Sequence, residues 1–488
     1  MLLFKSRVLL ISLVETVQRC TIMTIDDSQH SQALEKKDRK LILAFAFVTI
    51  SLASGLVYGW PALRRLLVEE GTALTEKEIG AIFTVGSWST QGGRFLSGIA
   101  RDSRFCGTRI TTAACILAAA MGCTGLAFAG KDNQSALIIS FFLVGIGSGA
   151  QLCLQPVAGL FDETVQGTIL SSMSGAFQIS GLVFLLLAQI TSDREISLGI
   201  FALCLFMLAI LALKVLPRFH FSSKKVEVHL DEEEQDESNV KTKNKSLAIV
   251  NVENCDELET SQKEETEEAV DIESEETKII SKETTDDDSS SEVGVMKLIM
   301  SAEYILLVLW FSVLLIPLQY YIATIGFQLE RKGDDSGRYT SLFSVLYASS
   351  AIFAPLLGKF ADKFGVGAGQ AIATILSASS LLLLSMTSVS LGAHVVGMSF
   401  YGVGRMFFFG LFFTNVGKRF GFDHYGTLAG LGLLISSLFG NIQYPLIALA
   451  ADGYEREVNI ACGSVMLMLG LPYCLWLSRR ERRQASVK

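Results

Sequence analysis

Twelve stretches of about 18–25 residues with almost no charge recur along this chain, each long enough to cross a ~30 Å hydrocarbon core as a helix. Their coarse boundaries are 41–63, 79–100, 110–129, 135–160, 165–190, 196–216, 304–326, 339–357, 367–389, 391–416, 426–450 and 458–477. A backbone inside lipid must satisfy its own N–H and C=O groups, so runs of this length and composition read as helices. The expectation is an all-α membrane protein with 12 transmembrane helices arranged as two six-helix bundles. Residues 1–40 form a cytoplasmic segment, 41–217 and 304–477 the two bundles, 218–303 a connecting loop, and 478–488 a basic tail.

Charge marks the loop. Residues 218–297 hold 24 acidic and 10 basic side chains, a net of −14, so the remaining chain carries +6 against a total of −8. Runs such as "DEEEQDE", "EETEEAVDIESEE" and "TTDDDSSSE" are too polar to bury a core, which predicts a disordered cytoplasmic tether. Ser289, Ser290 and Ser291 lie among acids that suit an acidophilic kinase. Basic residues in short loops count fifteen to nine in favour of both termini inside, with Arg64 and Arg65 on the opposing side of that tally. The plasma membrane is the favoured host, and lipid headgroups are expected partners of the basic loops.

Other chemistry is missing. None of the nine cysteines forms a Cys-x-x-Cys pair, and no nucleophile–base set, metal-ligand cluster or phosphate loop occurs. These patterns predict no enzyme, no metal and no cofactor, and the chain has no basic face for nucleic acid. The opening "MLLFKSRVLLISLVETVQRC" has a short apolar core but no small-residue cleavage site. It reads equally as a targeting segment or as residues preceding a start at Met23, and carries no assigned role.

The two halves repeat one turn. "GIARDSRFCGTR" ends the second stretch and "GKFADKFGVG" the eighth, with Gly98 lying 57 residues after Leu41 and Gly358 54 residues after Tyr304. Duplication of a six-helix unit suggests a transporter whose solute site lies between the repeats near the bilayer midplane. Gly98 and Gly358 permit close helix approach. Asp102 and Asp362 are placed to accept from the exposed N–H groups of a neighbouring helix N-terminus. Arg104, Arg109 and Lys363 can hold lipid phosphates or carboxylates across the bundles. With Gly365, these residues make a candidate cytoplasmic latch.

The second copy resembles the cytoplasmic signature of the major facilitator superfamily, Gly-x-x-x-Asp-Lys/Arg-x-Gly, at Gly358, Asp362, Lys363 and Gly365. The first copy carries extra residues between Asp102 and Gly107. "SGLVYGWPALRRLLVEEG", "GSWSTQGGRFLSGIARD" and "HYGTLAGLGLLISSLFGNIQYPLIALA" resemble the solute carrier family 43 amino-acid facilitators and their fungal and apicomplexan relatives. The resemblance implies a major-facilitator-type fold with pseudo-two-fold symmetry, and transport of neutral or cationic amino acids.

The interior charges point to the site. No Asp or Glu falls within a predicted span, and the basic residues well inside are Arg94 and Arg405. A charge at the bilayer centre costs ~2.5–3.5 kcal/mol even on the lenient scales. Arg94, about six residues from the end of its span, is expected to snorkel and serve the Asp102 turn. Arg405 sits mid-span in "YGVGRMFFFGLFF" and has no such escape. Guanidinium takes a carboxylate through two parallel hydrogen bonds, so Arg405 is the expected clamp for a solute carboxylate, with Tyr401 one turn earlier. Gly55, Gly59 and Pro61 weaken the first span and Pro317 the seventh, offering backbone carbonyls to an ammonium group. Tyr58, Trp60, Gln151, Tyr320 and Asn441 complete the expected substrate set. Without an intramembrane acid to carry protons, facilitated diffusion by alternating access is expected. The alternatives are a carrier of monocarboxylates or other small organic anions, and a transport-dead nutrient sensor whose acidic loop docks partners.

Overall fold

The computed structural model describes residues 36–103, 106–191, 193–217, 297–387, 389–420 and 425–485. Most of the acidic loop, its kinase candidates Ser289, Ser290 and Ser291, and Arg104 lie outside the described residues, as does the Asp362 side chain. Among the described residues the chain is helical, without strands. The helices of the first half are α1 (Lys36–Thr49), α2 (Trp60–Glu69), α3 (Glu76–Asp102), α4 (Gly107–Phe128), α5 (Gln134–Ile146), α6 (Gly149–Leu154), α7 (Glu163–Ile179), α8 (Val183–Ile190) and α9 (Arg194–Val215). Those of the second half are α10 (Ala302–Arg331), α11 (Arg338–Ser349), α12 (Ala354–Phe364), α13 (Val366–Leu384), α14 (Leu391–Phe420), α15 (Tyr425–Gly440), α16 (Gln443–Leu449), α17 (Glu455–Val465) and α18 (Leu471–Ala485).

Local sequence sets several of these ends. Thr75 caps α3 and Glu78 returns the bond to the Thr75 N–H, so two orphan donors of the first turn are satisfied together. Asp193 and Ser301 cap α9 and α10 more simply, their side-chain oxygens accepting from first-turn N–H groups with no returned bond. Between α1 and α2 the first span breaks through a π turn at Ile50–Ser54 and a 3-10 turn at Leu56–Gly59, and bends by 48°. A side chain on Gly55 would collide with the Phe177 carbonyl, so the break is also where α7 comes nearest. The expected weakness at Pro317 is not realised as a break: α10 runs unbroken from Ala302 to Arg331 with Pro317 inside it. Packed neighbours hold such a helix together when one hydrogen bond is lost.

Nine of the described helices or merged helix runs are long and apolar enough to cross a bilayer, or ten if the bent α1–α2 pair counts as one. Two departures from the twelve expected runs have physical causes. Helix α3 falls short on apolarity because Ser87, Ser89, Thr90, Gln91, Arg94 and Ser97 are all buried inside the protein, away from lipid. The last two expected runs join into one helical stretch, Tyr425–Arg483, which turns at Gly453 with φ of 100°.

The two halves pack on glycine. An atom added at Gly98 of α3 would lie 3.0 Å from the Gly426 carbonyl of α15, and one at Gly358 of α12 would lie 3.1 Å from Thr168 of α7. Corresponding glycines of the repeated turn therefore press against corresponding helices of the opposite half. Most buried apolar side chains of both halves form one continuous core, with a smaller separate cluster around Ala354, Leu357, Met406 and Leu411 in the second half.

Candidate functional site

Helix α14 carries Arg405 into the core, where the residue is fully buried. Its guanidinium lies 4.2 Å from the Tyr58 ring centre and 5.0 Å from that of Phe409. Nη1 donates to the Tyr401 hydroxyl at 3.2 Å, and that hydroxyl donates in turn to the Leu318 carbonyl at 2.7 Å. Nη2 donates to Gln319 Oε1 across a long 3.4 Å, and Nε has no hydrogen-bond partner. No acidic side chain pairs with Arg405 among the described residues. The cation is held by ring faces and neutral dipoles alone.

Arg94 corrects the expectation that it snorkels. It is completely buried, with Nη2 donating to Gln151 Oε1 at 2.7 Å and its guanidinium 4.4 Å from the Phe177 ring centre. Its position on α3, the helix most heavily lined with buried polar groups, directs it inward where those groups solvate it. Nη1 reaches Gln91 Oε1 at 3.4 Å, and Nε again lacks a partner. Gln91 and Gln319 both donate from Nε2 to the Tyr58 hydroxyl, at 3.2 and 3.0 Å. Each arginine thus leans on a glutamine, and both glutamines converge on the tyrosine released by the Gly55 break. Phe409 lies beside both cations, 5.8 Å from Arg94 and 5.0 Å from Arg405.

The expected substrate set divides. Tyr58 and Tyr401 touch Arg405, and Gln151 enters through Arg94. Trp60 does not join them: it packs against Phe83 and Phe141 inside the first half, because two positions along the chain have turned its ring away from Tyr58. Tyr320 accepts from Gln328 at 3.2 Å in a separate polar cluster with Thr324 and Asn459, whereas the next residue, Tyr321, stacks on Tyr401 at 4.2 Å. A step of one residue rotates a helix by about 100°, which separates their environments. Asn441 is exposed and donates to the Leu438 carbonyl at 3.3 Å, while nearby Gln443 is the buried residue. Gln178 bridges the halves, accepting from Ser350 at 2.7 Å.

At the Asp102 end, that carboxylate lies against the start of α15: Thr427 Oγ1 donates to it at 3.5 Å, and a side chain on Gly426 would approach it to 2.7 Å. An anion there lies near the positive end of the helix dipole, and Arg101 of its own helix pairs with it at 2.9 Å. Arg109 departs from its expected role. Its Nε donates to the Leu216 carbonyl at 2.6 Å, closing the C-terminus of α9 within its own half. Lys363 is exposed and lies 5.3 Å from the Phe364 ring centre, with no partner across the halves among the described residues. Gly365 ends α12 at φ 88° and leaves room for Glu481, which accepts from Gly367 N–H at 3.0 Å and Arg419 at 2.9 Å.

The opposite end holds a device that the sequence did not disclose. Arg64, 1 % exposed, donates to Glu76 at 3.1 and 2.6 Å and to Glu330 at 2.7 and 2.8 Å. Arg64 and Glu76 belong to the first half and Glu330 to the end of α10, so one guanidinium fork ties the halves. Lys77 pairs with Asp452 at 2.8 Å beside it. In one dimension Arg64 only opposes the charge asymmetry of the loops, and its partner across the halves, Glu330, lies 266 residues away.

The model of the Major Facilitator Superfamily matches residues 41–443. A search of curated proteins finds no match. Among solved structures, the chain is similar to the crystal structure of the human organic anion transporter MFSD10 (TETRAN), with 14 % identity and a TM-score of 0.53 over 93 % of this chain and 99 % of that one. The family match spans most of the chain, and the shared fold agrees with it. Helices built for lipid, buried cations between two repeated halves and this match lead to one conclusion: the chain belongs to the Major Facilitator Superfamily and is a multi-pass membrane transporter, not an enzyme.

Proposed function

We propose that the chain moves a small carboxylate-bearing solute by alternating access, and that Arg405 holds the carboxylate. The observation that carries this reading is a fully buried guanidinium with an unpartnered Nε, a long 3.4 Å bond to Gln319 and no acid beside it. A carboxylate replaces that long bond with shorter, charge-assisted ones. Tyr401 orients the fork, and Tyr58 and Phe409 supply faces against which the solute body packs. Facilitated diffusion fits two arginines with no acidic partner among the described residues. The Asp102 latch and the Arg64 network would then close alternate ends, with the Asp102 end facing the cytoplasm of a plasma-membrane carrier.

Geometry favours a small organic anion. An ammonium group brought to about 4 Å from either arginine meets repulsion of roughly 4 kcal/mol at an effective dielectric of 20, and no described carboxylate offsets it. The second reading is an amino acid. It is supported by the resemblance to the solute carrier family 43 facilitators and by the glutamines and ring faces around Tyr58, which can receive an ammonium at a lower cost. The organic anion carried by MFSD10 is a property of that protein and supports the first reading only by analogy of fold.

Counterflow in proteoliposomes tests both levels. Arg405→Gln should abolish uptake of any carboxylate the wild type moves. Uptake continuing at the former affinity would overturn the clamp. Competition between an amino acid and its des-amino analogue separates the two solute readings, with the better competitor naming the class.

A further inference from the structure

One carboxylate neutralises one arginine, yet two buried arginines face the same ring. Arg94 comes from the first half and Arg405 from the second, and both are wholly removed from solvent. Their surroundings match. Each has an Nε without a hydrogen-bond partner. Each donates across 3.4 Å to a glutamine carbonyl, Gln91 for Arg94 and Gln319 for Arg405, and both glutamine amides end on the Tyr58 hydroxyl. Each guanidinium lies within 6 Å of the Phe409 ring centre, at 5.8 and 5.0 Å. A charge-assisted bond to an anionic oxygen runs at about 2.7–2.9 Å and is roughly twice as strong as a neutral one, so an anion displaces a carbonyl held at the longer distance. The bond from Arg94 to Gln151, at 2.7 Å, is already short and fixes the guanidinium plane during that exchange.

We propose that the solute is a small dianion, with one carboxylate on Arg405 and a second anionic group on Arg94. This rests on the Arg405 reading and extends it to the opposite half. A monoanion leaves Arg94 as an uncompensated buried charge, and a solute with a cationic second end is repelled there. Because the two arginines belong to different halves, a dianion bridges them, and loading draws the halves together around the Tyr58–Phe409 rings. Gln91 and Gln319 then act as stand-ins that hold the empty site in place and give way together.

The test uses the purified full-length chain in detergent, with ligand-induced thermal stabilisation as the binding readout at neutral pH. The probes are malonate, succinate and glutarate as dianion candidates, and butyrate as the single-carboxylate control. Wild type should bind at least one dianion about tenfold or more tightly than butyrate, the effect of one added charge-assisted contact. Arg94→Gln should erase that preference with a much smaller loss for butyrate, and Arg94→Lys should keep part of it because the charge remains. Arg405→Gln should weaken every acid. Butyrate binding as tightly as all three dianions, or a preference surviving in Arg94→Gln, overturns the dianion and leaves the Arg405 clamp standing. Equal binding by Arg405→Gln and wild type, or no binding by any probe, overturns the clamp and the dianion together. Monodisperse elution of each variant on size exclusion establishes that it is folded.

Discussion

Replacing Glu330 by Gln should loosen the Arg64 end of the transporter. Arg64 is 1 % exposed and makes four hydrogen bonds, two of them to Glu330 at 2.7 and 2.8 Å. Breaking a fully buried ion pair costs about 3–5 kcal/mol. Two features reduce that here. Glu330 is 34 % exposed, so water screens part of the attraction, and Arg64 retains Glu76, which stays in the same half. Glutamine also keeps one acceptor. We therefore expect about 1–2 kcal/mol, a factor of roughly 5–30 in the population closed at this end. Because the lost bond crosses the halves while the retained one does not, the cost falls on closure and not on folding. Spin labels at Glu195 and Asp335, both exposed and on opposite halves, would report the change as a longer-distance population in double electron–electron resonance. Distance distributions identical to wild type in Glu330→Gln would refute the assignment of this fork as the closing element.

Other expectations follow from single contacts. Gly98→Val places atoms against the Gly426 carbonyl, 3.0 Å from the first added carbon, and should cost about 1–3 kcal/mol of closure at the Asp102 end, read as faster maleimide labelling of a Thr427→Cys reporter. Tyr58→Phe keeps the ring over Arg405 but strands the Gln91 and Gln319 amides, so thermal stability should fall by about 1–3 kcal/mol while a shared cation–ring contact persists. The Thr75 N–H, bonded to Glu78, holds that carboxyl below its ordinary range. A depressed folded value means the cap is fully present above the unfolded pKa and is lost as pH falls through the folded one. Hydrogen exchange in the first turn of α3 should therefore quicken on acidification, after correction for the intrinsic rate, in wild type but not in Glu78→Gln.

Much of this architecture could be read in one dimension because lipid enforces it locally. A run of apolar residues has one solution in hydrocarbon, so helix positions followed from composition. The break at Gly55 was legible in Gly55, Gly59 and Pro61, and the paired turns at Gly98 and Gly358 in the repeat itself. The same local logic misread Pro317, where neighbours preserve the helix, and Arg94, which lies on the buried polar face of α3. The contact of Arg405 with Tyr401 and Tyr58 was anticipated because a mid-span cation needs explanation wherever it points.

The remainder required the third dimension. Nothing in the order of residues tells Tyr320 from Tyr321, or Asn441 from Gln443; helical phase relative to partners settles which one faces the core. Arg94 looked close enough to the interface to escape, yet it turns inward because Gln91, Gln151 and Phe177 wait there. Arg64 meets Glu330 across 266 residues of chain. Sequence by itself determined that helices cross a membrane and that charges buried within them demand partners, since both are properties of a segment and its solvent. Which partners they find is a property of how two halves pack, and only the tertiary structure decided it.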